Sequence, residues 1–222
     1  WPLVTPNMGR SITLDVLKDG FERAVHDGQG ELIAWATQHL NVEVGLALHA
    51  NRWVGVDFWP GAADPMRALG GEGLLRLIDL CEVAVVGIDG GGLDDLGGLF
   101  VMGRERKIRE NGVRGLLGWG KAWAHKSVLE RRKEIVPALQ DFQRDGDLTI
   151  CEWPTQDHDE MCEIVEALMD AGLLPAAGAI GLDAAGATAI VDAFDLIGVQ
   201  AGQMVAVPQG YRLSSAIWGL ER

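Results

Sequence analysis

Cysteine is scarce in this chain, and its scarcity excludes several classes of protein. The 222 residues include three cysteines, Cys81, Cys151 and Cys162, and none of them forms a CxxC pair. Three scattered cysteines are too few for a disulfide framework or a zinc site. We therefore expect three reduced and mostly buried thiols, in a protein of a reducing compartment.

Long apolar runs are missing as well. No run of about 18 uncharged apolar residues occurs, so we expect no membrane-spanning helix. The first residues, from Trp1 to Pro6, lack the basic start and the apolar stretch of a signal peptide. The sequence does not begin with methionine, and we expect it to be a piece of a longer chain.

Several catalytic signatures are absent from the sequence. It has no GxxxxGK(S/T) phosphate loop, no HExxH zinc motif and no GxSxG nucleophile elbow. A P-loop ATPase, a metalloprotease of the HExxH type and an α/β-hydrolase are therefore excluded within these residues. What is present is a composition of 48% hydrophobic and 23% charged residues, which is typical of a soluble protein with a core.

Basic residues are outnumbered overall but are concentrated in one stretch. The formal net charge is −13, whereas residues 104–133 hold ten bases and three acids, so the rest of the chain carries −20. An acidic body argues against nonspecific nucleic-acid binding, but a basic strip permits a localised contact with phosphate groups. A solvated helix face and a charged hairpin tip would give the same pattern. The candidate DNA-binding residues of this strip are Arg104, Arg106, Lys107, Arg109, Lys121, Lys126, Arg131 and Arg132.

Hydrophobic patterning divides the chain near residue 80. Residues 1–80 combine predicted helices at 11–25 and 31–40 with an irregular aromatic stretch, and we interpret them as an N-terminal arm. Strands predicted at 83–88, 96–102 and 113–119 are separated by short turns. The later elements are predicted as a helix at 127–144 with Ser127 as N-cap, a strand at 148–151, a helix at 157–171, a strand at 179–182, a helix at 185–197, a strand at 204–207 and a helix from 214.

This order of elements predicts the fold of residues 81–222. Three strands joined by short turns form an antiparallel meander, and the helix–strand alternation that follows adds parallel strands. We therefore expect an α/β domain, a ribonuclease-H-like mixed sheet with helices on both faces. A doubly wound sheet is excluded, because it would have crossover helices between its first strands.

Two aspartates follow apolar strands and precede turns rich in glycine or alanine. These are Asp89 and Asp183. Ligand sites in open α/β sheets lie at the carboxyl ends of strands, so if the two strands are parallel neighbours the carboxylates converge. Paired carboxylates form an oxygen site for Mg²⁺ or Mn²⁺, and two such ions can act on a phosphodiester. Asp95, across the glycine-rich turn from Asp89, is a third candidate; an aspartate that merely begins a turn would give the same pattern.

Two sequence segments carry these aspartates, and three others accompany them. The segments VVGIDGGGLDDLGGLFVMG and IGLDAAGATAIVDAF resemble the first and second catalytic-strand motifs of a known family. The other segments are residues 5–45, WGKAWAHKSVLERRKEIVPALQDFQRDGDLTIC with its basic helix, and VPQGYRLSSAIWGLER with its Gln-Gly turn. Together they resemble, in order and spacing, the C-terminal nuclease domain of the large terminase subunit of tailed bacteriophages and prophages.

The resemblance implies a function and a set of partners. Members of this family cut concatemeric double-stranded DNA with divalent metals in a ribonuclease-H-like domain. The resemblance therefore implies catalytic and metal-binding roles for Asp89 and Asp183, with Asp95 as a nearby contributor, and two bound Mg²⁺ or Mn²⁺ ions. It places the family's third catalytic acid beyond Arg222. The implied partners are double-stranded DNA, the portal protein, the small terminase subunit and the motor's ATPase half, in the cytoplasm of a bacterial host.

Two other classes of function stay open at this point. One is an ATP-binding domain of the actin and sugar-kinase architecture, in which a DGGG turn after the first strand contacts the nucleotide. The turn after Asp183, Ala-Ala-Gly, is a weak match to the second phosphate loop that such a domain needs. The other is a docking module of the packaging motor that catalyses nothing.

Overall fold

The chain forms two compact units, Trp1–Asp64 with Ile217–Arg222, and Pro65–Ala216. The computed structural model describes residues 12–40, 55, 58, 61–62, 72–90, 95–183, 188–208, 210–213, 216 and 219. The predicted turns after Asp89 and Asp183, and most of the aromatic stretch and the last helix, lie outside these residues. The boundary between the units falls at residue 64, whereas hydrophobic patterning divides the chain near residue 80.

The first unit contains a helical hairpin. Helix α1 spans Leu14–Asp27 and helix α2 spans Gln29–Leu40, close to the predicted ranges. Thr13 is the N-cap of α1, because its hydroxyl accepts a hydrogen bond from the backbone N–H of Val16 at 3.4 Å. The two helices share a small core of their own, formed by Leu17, Ala24 and Trp35.

The second unit is built on a mixed sheet of six strands, which confirms the predicted α/β class. The order across the sheet is β4-β3-β2-β1-β5-β6. Strands β1, β2 and β3 form the predicted antiparallel meander, while β4 runs parallel to β3, β5 to β1 and β6 to β5. The strands are β1 Cys81–Asp89, β2 Gly97–Ile108, β3 Arg114–His125, β4 Leu148–Cys151, β5 Ile180–Leu182 and β6 Met204–Ala206.

Helices cover the two faces of this sheet unequally. The helices of the second unit are α3 Glu72–Leu80, α4 Lys126–Arg131, α5 Val136–Asp145, α6 Gln156–Asp170 and α7 Thr188–Leu196. On one face, Leu77 of α3, Leu168 of α6 and Phe194 of α7 belong to the main core, and each is fully buried. On the other face, Val128 of α4 and Leu139 of α5 form a smaller cluster with Ala124 of β3 and Leu148 of β4. The middle of that second face, here called the open face, stays exposed at Val85 and Phe100.

The prediction of a single helix at 127–144 is wrong. The structure has α4, a 3₁₀ turn at Lys133–Ile135 and α5 in its place. Pro137 has no N–H to donate, and its ring would clash with the carbonyl of Lys133 in a continuous helix. Ser127 is not the N-cap either: β3 runs on to His125 and passes directly into α4, and His125 makes no side-chain capping bond.

The β2–β3 hairpin is longer than its sequence predicts. Glu110-Asn111-Gly112 forms the predicted turn, with Gly112 at a φ of +79° and the Asn111 carboxamide accepting from Val113 N–H. The charged residues before the turn continue β2 as far as Ile108. Ion pairs between strands accompany this extension, since Glu82 of β1 binds Arg104 at 2.8 Å and also Arg114 at 3.1 Å.

The three cysteines are free thiols, as predicted. Cys81 and Cys151 are buried and Cys162 is half-buried. Burial raises the pKa of Cys151 and of Cys162 to about 11, so both remain protonated at neutral pH and are poor nucleophiles. Among the helices that the structure describes, none is long and apolar enough to cross a membrane.

Candidate metal and nucleic-acid site

Asp89 and Asp183 lie side by side at the ends of two neighbouring strands. Asp89 is the last residue of β1, and Asp183 directly follows β5. The two strands are parallel, with Ile88 paired to Leu182, and the backbone N–H of Asp183 donates to the carbonyl of Ile88 at 3.4 Å. Neighbouring strands lie about 4.8 Å apart, so both aspartates fall within the reach of one bound ion. The parallel arrangement on which the predicted carboxylate pair depends is therefore present.

A cavity of about 580 Å³ opens at this edge of the sheet, and both aspartates line it. Its floor is the open face, since Asp89 alternates with the buried Ile88 along β1. Glycine makes up much of this floor, so the sheet backbone is accessible over several strands. The lining glycines are Gly87, Gly98, Gly120 and Gly181.

Asp147 is a third aspartate that lines the cavity, and it was not predicted from the sequence. It lies just before β4, after a polar turn in which Gly146 has a φ of +85°. In sequence it is indistinguishable from an ordinary turn aspartate. Three strand spacings, about 14 Å, separate β4 from β1, so Asp147 faces Asp89 across the cavity and is too distant to share one ion with it.

Asp95 does not line the cavity. Its carboxylate accepts a hydrogen bond from the adjacent backbone N–H of Leu96 at 2.9 Å, just before β2 begins. This local bond is typical of an aspartate that starts a turn or strand. A contribution of Asp95 to the metal site stays a prediction.

The donor set at the cavity suits a hard cation. Within the described residues, no group of three or more His, Cys, Asp or Glu side chains is arranged to hold a metal ion. Mg²⁺ does not need such a group, because it commonly binds one or two carboxylates and completes its shell with water and substrate phosphate. The carboxylates of Asp89 and Asp183, beside a cavity with room for water, fit that mode of binding.

The hairpin part of the basic strip lies far from these carboxylates. The strand register places Gly98 opposite Asp89, and Arg104 is six residues further along β2, about 20 Å away. Arg106 donates to the carbonyl of Asp79, and Arg109 binds Glu105 at 2.6 Å. That ion pair, chiefly through the hydrogen bond from Arg109, holds the pKa of Glu105 below its usual value. Lys107 is exposed at the same end of the sheet.

The remaining basic residues lie at the end of β3 nearer the cavity. Lys121 binds Glu160 at 2.6 Å and Lys126 binds Glu152 at 2.7 Å. Arg131 and Arg132, at the end of α4, are exposed and have no ion pair within the part of the chain that the structure describes. Lys121 is the member of the strip that lines the cavity, whereas Arg131 and Arg132 are solvent-exposed outside its lining.

The tryptophans near the strip are mainly structural. Trp123 is fully buried, and its indole N–H donates to Glu160 at 2.8 Å. Trp119 is partly buried and packs against the main core. Trp153 is 49% exposed, with its indole N–H donating to Asp159 at 2.8 Å.

Comparison with solved structures gives a distant match. No protein-family model and no curated protein matches the chain. Among solved structures, the crystal structure of the HK97 bacteriophage large terminase is similar to this chain, with 16% sequence identity and a TM-score of 0.45. The similarity covers 100% of this chain and 41% of that terminase, so the chain spans less than half of that protein's length.

Proposed function

We propose that this chain is a divalent-metal-dependent endonuclease that cuts double-stranded DNA. The observation that carries the proposal is the pair Asp89 and Asp183, adjacent on parallel strands and open to a cavity of about 580 Å³. A ribonuclease-H-like sheet is part of the proposal. Its support is the strand order, in which β1 lies between its antiparallel partner β2 and its parallel partner β5.

In this proposal the two aspartates hold Mg²⁺ or Mn²⁺, as one ion or a pair. When bound, such an ion supplies Lewis-acid stabilisation of the phosphodiester and lowers the pKa of a coordinated water. Asp89 and Asp183 provide the negative oxygen ligands, and the glycine floor lets a DNA strand approach them closely. Without a cation, the two carboxylates repel a phosphate, so DNA should bind at the cavity only when a divalent cation is present.

The motif resemblance also suggests the biological process in which this activity is used. VVGIDGGGLDDLGGLFVMG and IGLDAAGATAIVDAF bring the two aspartates into the cavity in the order found in large-terminase nuclease domains. We therefore propose genome packaging of a tailed phage as the process, in the cytoplasm of the host. Its partners would be the portal protein, the small terminase subunit and the motor's ATPase half.

The proposal is tested by incubating the chain with supercoiled plasmid in Mn²⁺, in Mg²⁺ and in chelator. Nicking and linearisation in either metal, and neither in chelator, are the expected results. A chain that leaves the plasmid intact in both metals would contradict the proposal. Stabilisation of the chain by ATP would then favour the actin-like alternative, and metal-insensitive binding to a packaging component would favour the docking module.

Arg131 and Arg132, which are exposed and have no ion pair among the described residues, are expected to contribute to the DNA contact. The double variant Arg131→Ala/Arg132→Ala should weaken DNA binding and reduce the slope of log K against log salt by about 2, because two phosphate contacts are lost. The measurement is fluorescence anisotropy of labelled DNA over a series of salt concentrations, with a divalent cation present.

The matched control for this prediction is the hairpin double variant Arg106→Ala/Arg109→Ala. It removes the same charge at the distant end of the sheet, where both arginines already bind acceptors of the chain itself. We expect it to leave the salt slope nearly unchanged. A larger effect from the hairpin variant would move the DNA contact to the hairpin.

A further inference from the structure

Phe100 exposes its aromatic ring on the floor of the cavity. It is 41% exposed, whereas its neighbours on β2, Leu99 and Val101, face the main core and are buried. The lining of the cavity includes Phe100 together with both aspartates. Of the two large apolar side chains exposed in the middle of the open face, Val85 and Phe100, Phe100 is the one that lines the cavity.

Two glycines of β3 hold the ring flat against the sheet. A Cβ added at Gly118 would lie 2.5 Å from Cζ of Phe100, and one added at Gly120 would lie 3.1 Å from its Cδ2. The ring therefore occupies the space that side chains at these two positions would fill. On its other side the floor is open among the residues that the structure describes, because a Cβ added at Gly87 or Gly98 would meet none of their atoms within 4 Å.

The strand register places Phe100 beside the carboxylates. Phe100 pairs with Gly87 across β1 and β2, and Asp89 is two residues further along the same face. Such diagonal neighbours have their Cα atoms about 7–8 Å apart. This separation is of the order of one nucleotide of a DNA strand. The ring leans from β2 over β3, away from Asp89, so a base next to a phosphate at Asp89 would extend across the floor toward the ring.

Resting on the proposed nuclease function, we infer that Phe100 stacks on a base of the cut strand, next to the scissile phosphate. A base inside a duplex is covered on both faces by its neighbours, and an aromatic ring reaches it only where the strand is locally unpaired. The site therefore selects DNA that is melted or mismatched at the point of cleavage. Phe100 is a specificity-determining residue in this reaction, and Asp89 and Asp183 are the metal ligands.

The test compares cleavage of two DNA substrates in Mn²⁺, a duplex and the same duplex with a short mismatched bubble. The parent chain should cut within the bubble faster than the duplex, by about 10-fold, since one base stacked on an aromatic ring typically contributes an effect of this order. Phe100→Leu keeps an apolar side chain but removes the stacking surface, and should bring the ratio of the two rates close to one. Phe100→Tyr should preserve the ratio.

Two further variants separate stacking from folding. Gly98→Val adds a side chain to the open floor beside the ring, where its Cβ meets no atom of the described residues within 4 Å, and should lower the bubble preference while leaving the melting temperature unchanged. Leu116→Ala alters another exposed residue of the open face, near the hairpin end, and is expected to change nothing.

The outcomes distinguish this inference from the proposed function. If the parent cuts both substrates equally, or if Phe100→Leu keeps the bubble preference, the role of Phe100 is overturned and the nuclease proposal stands. If the parent cuts neither substrate in any divalent metal, the nuclease proposal fails and this inference fails with it.

Discussion

Asp89→Asn and Asp183→Asn should each reduce metal-dependent nicking of plasmid DNA by about 10²–10³-fold, the effect typical of losing one preorganised electrostatic group. Asparagine keeps the size and shape of aspartate but removes the negative charge that holds a divalent cation. Both side chains line an open cavity at the ends of adjacent strands, so neither replacement disturbs the core. The measurement is the initial rate of nicking in Mn²⁺, beside the melting temperature of each variant.

The matched control for these variants is Asp192→Asn. Asp192 is an exposed aspartate on α7, outside the lining of the cavity, and its replacement should leave the nicking rate unchanged. Asp95→Asn and Asp147→Asn then measure what the other two acids contribute. Full nicking by both Asp89→Asn and Asp183→Asn would show that the cation is held elsewhere.

The sequence predicted the part of the site that depends on local pattern. The apolar run of 83–88 ends in Asp89, and the apolar run of 179–182 ends in Asp183, so each aspartate could be placed at the end of a strand. That the strands are parallel neighbours is a long-range property of the sheet. From the sequence, the convergence of the two carboxylates was predicted only on the condition that the strands are parallel neighbours. The pairing of Ile88 with Leu182 satisfies that condition.

Residues that act through neighbours distant in sequence were not predicted. Asp147 reaches the cavity only because β4 adds to the outer side of β3, and nothing around residue 147 signals that pairing. The role of Gly118 and Gly120 depends on a contact across two strands, because the ring of Phe100 occupies the space that side chains at these positions would fill. Similarly, the predicted strand stopped at residue 102, before the charged residues that β2 includes. Glu82 of β1, distant in sequence, binds two arginines of this hairpin.

The wrong prediction of one helix over 127–144 has a different origin, because the signal for a break was present in the sequence. Pro137 lies in the middle of that range, and a proline inside a helical pattern ends or kinks the helix. The prediction of one helix rested on Ser127 as its N-cap. The covalent constraint at Pro137 overrides the pattern, and the chain makes two short helices with a 3₁₀ turn between them.

Removal of the Glu160 carboxylate should destabilise the second unit strongly. Glu160 of α6 accepts hydrogen bonds from Lys121 at 2.6 Å, from the Trp123 indole at 2.8 Å and from Thr149 at 3.2 Å through one oxygen, and from Gln156 at 2.7 Å through the other. Glu160→Ala leaves these donors without their acceptor beneath the sheet. We expect a loss of about 3 kcal/mol in the free energy of unfolding, measured by urea denaturation.

The same carboxylate should make stability depend on pH in a defined direction. Burial opposes ionisation of Glu160, but the hydrogen bonds from Lys121, Gln156 and Trp123 outweigh it and hold its pKa below the ordinary 4.5. Because the pKa is lower in the folded state, the stabilisation is complete above pH 4.5 and is lost as the pH falls through the folded value. Glu160→Gln does not titrate, so the difference between it and the parent should shrink in that range. The control is Glu163→Gln, an exposed change on the same helix, whose stability should follow that of the parent at every pH. If its stability instead depends on pH as that of Glu160→Gln does, the effect arises from the net charge of α6 and the hydrogen bonds of Glu160 are not its cause.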